Sequence, residues 1–436
     1  MILIPSLFAV GEATNMTTKS TTINNIEHTS SRRRIVMGVL FLVISAAIWF
    51  LFIKTLEPGV QTTFKMNPGG SDQNIPDWIF STLPLLRVLA GISLVAGGYQ
   101  LARGFKKQTN LVLGLVGGIF IFAFLTWATA DGSLNLSGLI RSALVKAVPL
   151  TLGALSGVLC ERSGVVNIAI EGMMLTGAFV SAFVGSVTNI WIGLIAAVLS
   201  GGILAAVLAV LSIKYKTDQI IAGTIINIFA AGITSFLSAK FLQVYQNLND
   251  PGRFPIIKIP ILSDIPFFGP ILFQHNMFVY AVFIFLILIT VGLYYTRWGL
   301  RTRSVGEHPK AADTLGINVF RTRYLSVILG GFMAGFGGAY FTLGSVGRFD
   351  EMMTAGRGFI GLAAMIFGNW NPFGSFSAGL LFGFFDALAS KMAILKVPIP
   401  SEIMLMFPYL ATMVILAGVV GRGQMPAADG QPYEKE

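Results

Sequence analysis

Charge is what this sequence has least of. Asp, Glu, Lys and Arg make up 11% of its 436 residues, against 54% hydrophobic residues and a mean hydropathy of +0.75. About a quarter of an ordinary globular chain is charged, so this one has under half the usual groups for facing water, and a soluble fold is excluded. Cysteine is nearly absent: Cys160 stands alone, which rules out an internal disulfide. His28, His275 and His308 lie far apart, and no Cys or His cluster has metal-ligand spacing, so neither a metal nor a resident cofactor is expected. No lysine follows a glycine, whereas a loop that cradles ATP phosphates needs Gly-Lys before Ser or Thr. The chain is therefore not expected to hydrolyse ATP. Paired carboxylates and a nucleophile beside a base are also missing, so it is not expected to be an enzyme.

What the chain does hold is apolar length. Crossing a hydrocarbon core of about 30 Å takes roughly 20 helical residues. Twelve apolar segments can be marked, at 35–52, 83–101, 111–128, 139–159, 165–187, 190–213, 219–241, 277–295, 324–343, 359–367, 373–392 and 403–420. They are continuous rather than alternating, which favours helices over a β-barrel. The expected fold is all-α, a polytopic membrane protein of about 12 hydrophobic segments with broken or re-entrant helices. The 49 glycines and 35 phenylalanines fit this, because glycine lets lipid-embedded helices approach closely while large apolar side chains face acyl chains. The segment 359–367 is too short to cross before Gly368-Asn369-Trp370-Asn371-Pro372, so it is expected to be broken, extended upstream or re-entrant.

Composition divides the chain into a polar, disordered cytoplasmic stretch at 1–34, three spans with their loops at 35–137, a core of interrupted spans at 138–421, and a cytoplasmic tail at 422–436. Arg87, near the outer end of the second span, is expected to snorkel to the headgroups. A net charge of +10 raises nucleic acid as a partner, but most basic residues flank apolar segments, which is how a membrane protein sets its orientation. The partner expected is the bilayer, with no nucleic acid. With the amino terminus inside, twelve crossings return the carboxyl terminus inside, and the inner loops then hold most of the Lys and Arg. The loop 297–323 carries Arg297, Arg301, Arg303, Lys310, Arg321 and Arg323, which assigns it to the cytoplasm.

Within that loop Pro309 can begin a helix, Ala311 and Ala312 favour one, and Gly316 can end it, predicting a short helix over about 308–315. Such a helix either lies on the headgroups or docks a cytoplasmic partner. Earlier in the chain, Asn167 and Glu171 fall four apart inside an apolar run after Gly164, which predicts a shared helical face. A charge at bilayer depth costs a few kcal/mol, so Glu171 should face protein or water, either as a strut holding a broken helix or as part of a solute pathway.

Two stretches resemble the permease subunits of bacterial ATP-binding-cassette importers for nucleosides and simple sugars. One runs from Glu161-Arg162-Ser163-Gly164 through Asn167 to Glu171-Gly172-Met173-Met174. The other runs from Gly306-Glu307-His308-Pro309-Lys310-Ala311-Ala312 to Leu315-Gly316-Ile317. The resemblance covers roughly 138–421, including Lys216-Thr217-Asp218-Gln219 and the Gly-rich region 358–384, and leaves out the first 137 residues. It implies a multi-pass permease in a bacterial cell membrane that moves nucleosides or related sugar-containing solutes. It further implies a separate cytoplasmic ATP-binding subunit, a second homologous permease chain, and an extracellular or periplasmic solute-binding protein or lipoprotein. On this resemblance Glu307, His308, Pro309, Ala311, Ala312, Leu315 and Gly316 form the coupling element.

Nucleosides and sugars carry hydroxyls and ring faces, which amides and aromatic planes recognise. Asn167, Glu171, Asn227, Asn369 and Trp370 are therefore the candidate pathway residues. One alternative is an ion-coupled secondary transporter, which would need buried acidic or basic clusters; Glu171, Asp386 and Arg87 are few for that. Another keeps the importer but changes its cargo to monosaccharides or branched-chain amino acids.

Overall fold

A computed structural model describes residues 18–69, 75–395 and 425–435, together with 403 and 406, with side chains given from 31 onward. Among these residues ten helices are long and apolar enough to cross a membrane. The segment expected at 403–420 lies outside the described residues apart from two positions. So do residues 1–17 of the stretch expected to be disordered; from Thr18 the chain is already helical, because extending a nucleated helix costs little once the apolar turns ahead of it are fixed.

The chain divides into two compact units. The first is built from helices α1 (Thr18–Ala47), α2 (Thr82–Ala102) and α3 (Thr109–Ala128). Helices α1 and α2 touch through small residues: a Cβ on Gly97 would stand 2.8 Å from the Leu42 side chain, and the Ser45 hydroxyl donates to Ala90 O at 2.8 Å. Beyond α1, Phe52 lies among Phe120, Phe124 and Trp127. Arg87 is exposed, just over one turn into α2, a position suited to snorkelling.

The second unit holds α4 (Leu136–Glu161), α5 (Ile170–Val187), α6 (Ile190–Ala209), α7 (Gln219–Leu237), α8 (Phe268–Leu272), α9 (Met277–Tyr295), α10 (Arg297–Glu307), α11 (Pro309–Thr314), α12 (Val319–Ala339), α13 (Arg357–Phe367) and α14 (Pro372–Leu395). A two-residue antiparallel pairing sets Ile257 opposite His275 and Lys258 opposite Gln274. Helix α4 is the axis of this unit, packed by α9, α12, α13 and α14. Pro149 inside it removes a backbone donor, which leaves the carbonyl four residues earlier without its helical partner. The Tyr340 hydroxyl donates to that carbonyl, Val145 O, at 2.9 Å, as an apolar solvent requires. Helices α6 and α12 meet backbone to backbone, since a Cβ on Gly201 would lie 2.4 Å from Gly331 O.

Two of the expected spans differ from expectation at the places where the chain unwinds. The span placed at 165–187 becomes helical only at Ile170, so Asn167 and Glu171 do not share a helical face. The cause is local: Gly164 has a φ of +86°, and the Asn167 side chain accepts from Ala169 N at 3.1 Å, a turn geometry that replaces the helical one. The short tenth segment is α13, 11 residues long and about 16 Å at 1.5 Å per residue. It is half a span, entered from turns at 351–356.

Candidate functional site

The unwound connector 162–169 is the point where α4, α5, α7 and α13 are fastened together. Arg162 donates from Nε to Trp370 O at 2.9 Å and from Nη2 to Asn369 O at 3.3 Å. Trp370 Nε1 in turn donates to the Glu161 carboxylate. Both Asn369 and Trp370 hold left-handed φ values, +57° and +51°, so the turn closing α13 curls its carbonyls toward Arg162. On the other flank Gln219 Oε1 accepts from Val166 N at 2.7 Å. Asn227 serves both sides of the break: Oδ1 accepts from Gly172 N at 2.7 Å, and Nδ2 donates to Ile168 O at 2.8 Å.

Glu171 caps the half-helix. One carboxylate oxygen accepts from the Thr354 hydroxyl at 2.6 Å and from Gly356 N at 2.8 Å, and the other from Gly358 N at 2.6 Å. These donors lie at the start of α13, where free N–H groups and the helix dipole favour an anion. A buried carboxylate with three donors is satisfied, and Gly358 is required because a Cβ there would lie 2.6 Å from the Glu171 backbone. The five candidate pathway residues are thus drawn around one break. Asn167, Glu171 and Trp370 are buried, Asn227 is half-buried and Asn369 is exposed.

The segment 297–323, expected to be the coupling element, holds two helices ahead of α12 rather than one. Helix α11 occupies Pro309–Thr314, with His308 as its cap, Nδ1 accepting from Ala311 N at 3.1 Å. Gly316 closes it with a φ of +81°. The preceding helix, α10, was not expected, because its polar residues hide a buried face formed by Gly299, Thr302, Val305 and Gly306, spaced three and four apart. Of the coupling residues, Glu307, His308, Ala311, Leu315 and Gly316 are exposed, Pro309 is half-buried and Ala312 is buried. Leu315, 81% exposed, and Leu300, 60% exposed, are apolar groups this surface presents. The module abuts the connector directly: a Cβ on Gly306 would stand 2.3 Å from Arg162 O.

Arg141 lies twenty residues before Glu161 on α4, about 30 Å away along a helix, the thickness of a hydrocarbon core. There a cavity of about 790 Å³ is lined by Arg141, Asp250, Arg253, Phe254, His275 and Asn276 among others. The His275 pKa is lowered, chiefly by burial and further by the Arg141 charge. Near this end Asp386 pairs with Lys146 at 2.7 Å and Arg357 at 3.7 Å, so the charges placed inside spans are spent on one another. Sequence reasoning missed the cavity and the capping donors of α13. The run Thr354-Ala355-Gly356-Arg357-Gly358 carries the signal for the cap, since closely spaced glycines ahead of an apolar helix permit close backbone approach.

Ten helices long and apolar enough to cross a membrane, among the described residues, define a polytopic all-α membrane protein. The sequence profile described as branched-chain amino acid transport system / permease component matches residues 139–417, and the chain belongs to that family. It is 41% identical over 310 residues to the guanosine ABC transporter permease protein NupQ of Bacillus subtilis (strain 168), covering 69% of this chain and 97% of that one. It is 39% identical over 311 residues to the nucleoside ABC transporter permease protein NupC of Lactococcus lactis subsp. cremoris (strain MG1363), covering 68% and 96%. A putative glucose ABC transporter permease protein of Haloferax volcanii is 32% identical over 324 residues, covering 69% and 98%. No solved structure is matched by this chain. The chain is thus a permease subunit of an ATP-binding-cassette transport system.

Proposed function

We propose that this subunit imports nucleosides across a bacterial cell membrane, using ATP hydrolysed by a separate cytoplasmic subunit that docks on α10 and α11. The observation that carries the reading is the contact of Gly306 with Arg162, which joins an exposed helix pair to the connector holding α4, α5 and α13. Movement of that pair acts on the break at this connector. The cavity at Arg141 and Arg253 is the outer mouth, and a solute-binding protein delivers cargo there. A second homologous permease chain completes the pathway, and both termini are cytoplasmic, since the described tail packs against the coupling side. In this reading Asn167, Glu171, Asn227 and Trp370 are struts that keep the break in one of two packings.

Nucleoside cargo is favoured because the relatives at 41% and 39% identity are named for guanosine and nucleosides, whereas the one named for glucose stands at 32%. The test of docking is Leu315→Asp in the assembled transporter. Affinity for the ATPase subunit should fall about thirtyfold, the loss of one apolar hot spot, while membrane insertion stays normal. Undiminished co-purification overturns the docking role. For cargo, uptake of labelled guanosine should be competed by other nucleosides and not by glucose; the reverse pattern replaces nucleoside with sugar.

A further inference from the structure

The carboxyl-terminal segment 425–435 is stitched to the coupling module along its length. Ala428 N donates to Gly306 O at 2.9 Å, and Ala427 N donates to the Glu307 carboxylate at 3.2 Å. From α12, the buried Arg323 donates Nη1 to Gln431 O at 2.9 Å. Tyr433 stacks near Phe320, with ring centroids 5.4 Å apart, and is buried with Val305, Ala312 and Val319. At its end the segment makes ion pairs in two directions, Lys435 with Asp313 of α11 at 3.6 Å and Glu434 with Lys216 ahead of α7 at 2.5 Å. Beneath it Gly164 leaves room for the Ala428 carbonyl, which a Cβ would approach to 3.1 Å. Asp429 is buried beside Glu161 and Arg323.

A six-residue helix such as α11 cannot bury a face of its own, and an isolated helix of that length does not hold its shape. The small apolar cluster around Ala312 has four buried members, and the tail supplies one of them, Tyr433. The same segment reaches Gly306 of α10, Asp313 of α11, Arg323 of α12 and Lys216 ahead of α7. It therefore ties both coupling helices to α12 and to the chain entering α7.

We propose that residues 425–435 are a transmission strap, which clamps α10 and α11 to the connector and to α12 so that displacement by the ATPase subunit reaches the broken helices as one rigid shift. This rests on reading 297–323 as the coupling module and deepens it: the strap is needed for coupling, not for docking. The test uses the complete transporter in liposomes with its ATPase subunit and binding protein, comparing Asp429→Lys, Tyr433→Ala and Asp429→Asn with the unaltered chain. Asp429→Lys places a cation beside Arg323, and Tyr433→Ala empties the apolar cluster.

Both should retain the ATPase subunit yet lose about tenfold in solute transported per ATP, with faster amide hydrogen exchange across 306–314. Asp429→Asn, which keeps shape without charge, should transport within about twofold of the unaltered chain. Where Asp429→Lys fails to insert, Tyr433→Ala decides alone. Unchanged transport per ATP in Tyr433→Ala overturns the strap, as does unchanged exchange across 306–314. Loss of the ATPase subunit itself also overturns it, making the tail part of the docking surface. Failure of the underlying docking reading shows separately, as a Leu315→Asp transporter that still holds its ATPase.

Discussion

The two compact units are equally apolar in sequence and differently built. In the first, 28–33% of each membrane window is buried within the chain; in the second, α6, α7, α9 and α14 lie at 28–44%, but α4, α5 and α12 are buried to 89%, 67% and 78%. Glycines of α3 such as Gly114, Gly117 and Gly118 have nothing within reach of an added Cβ, while Gly201, Gly331, Gly335 and Gly338 face another helix's backbone. Lipid is as apolar as leucine, so helices in a bilayer gain little from hydrophobicity itself and associate through close packing and polar contacts. The second unit has both, and the first shows outward faces such as Val36, Val39, Val43, Val88 and Val95. Hydropathy measures preference for the membrane; what is built inside it depends on small and polar residues.

That contrast breaks most sharply at Glu171. Glu171→Ala would strand Thr354 Oγ and the N–H groups of Gly356 and Gly358, and orphaned buried donors cost about 1–3 kcal/mol each. Uptake should fall to background, with much of the protein lost from the membrane. Arg87→Ala in the first unit should leave both unchanged. Glu171→Gln, which retains an acceptor for part of the set, should fall between, and a variant that assembles fully but does not transport would return Glu171 to the solute pathway. Equal tolerance of Glu171→Ala and Arg87→Ala would erase the distinction between the units.

A smaller effect is expected from one substitution made in both places. Gly201→Val drives a side chain into the Gly331 carbonyl, where even a Cβ would be 2.4 Å away, whereas Gly117 has open space around it. Overpacking of this kind costs roughly 1–3 kcal/mol. The melting temperature of the purified subunit should therefore drop for Gly201→Val and stay within error for Gly117→Val. A matching drop in both would mean that the α3 glycines face a close neighbour, as they would if a partner chain covers them.

Much of the second unit was legible because its signals are chemical. Pro309, Ala311, Ala312 and Gly316 marked a short helix from start to stop, and α11 occupies Pro309–Thr314. The breaks were harder. Residues 165–169 are as apolar as a span but are not helical, because Gly164 and the Asn167 side chain redirect the backbone, and hydropathy does not register φ. Helix α10 was hidden for the opposite reason, its buried face being two glycines, a threonine and one valine. The partners of Glu171 lie more than 180 residues along the chain, and no spacing rule joins them. Asp429 sits in a tail whose composition reads as irregular chain, although its placement depends on Glu161 and Arg323.

The smallest expected effect is a dependence on pH that only the second unit should show. Burial raises the Asp429 pKa from 3.8 to about 7, outweighing the lowering influence of Glu161, the Gly430 backbone and the Arg323 charge. The charged and titratable groups around it are Glu161 and Cys160 of α4 and Arg323 of α12, with Tyr433 of the tail acting in turn on Arg323. A free tail would titrate near the ordinary aspartate value of about 3.9, so docking takes up a proton between that pH and about 7. The docked strap is then favoured at low pH and weakens as pH rises through 7, by at most about tenfold per unit for one proton. Exchange protection at the Ala428 amide, corrected for intrinsic rate, should be greater at pH 6 than at pH 8, and Asp429→Asn should flatten the difference. Protection that grows with pH, or the same slope in the asparagine variant, would remove Asp429 as the titrating group. The amides of α3 should show no such slope, because the first unit has no buried carboxyl among its described residues.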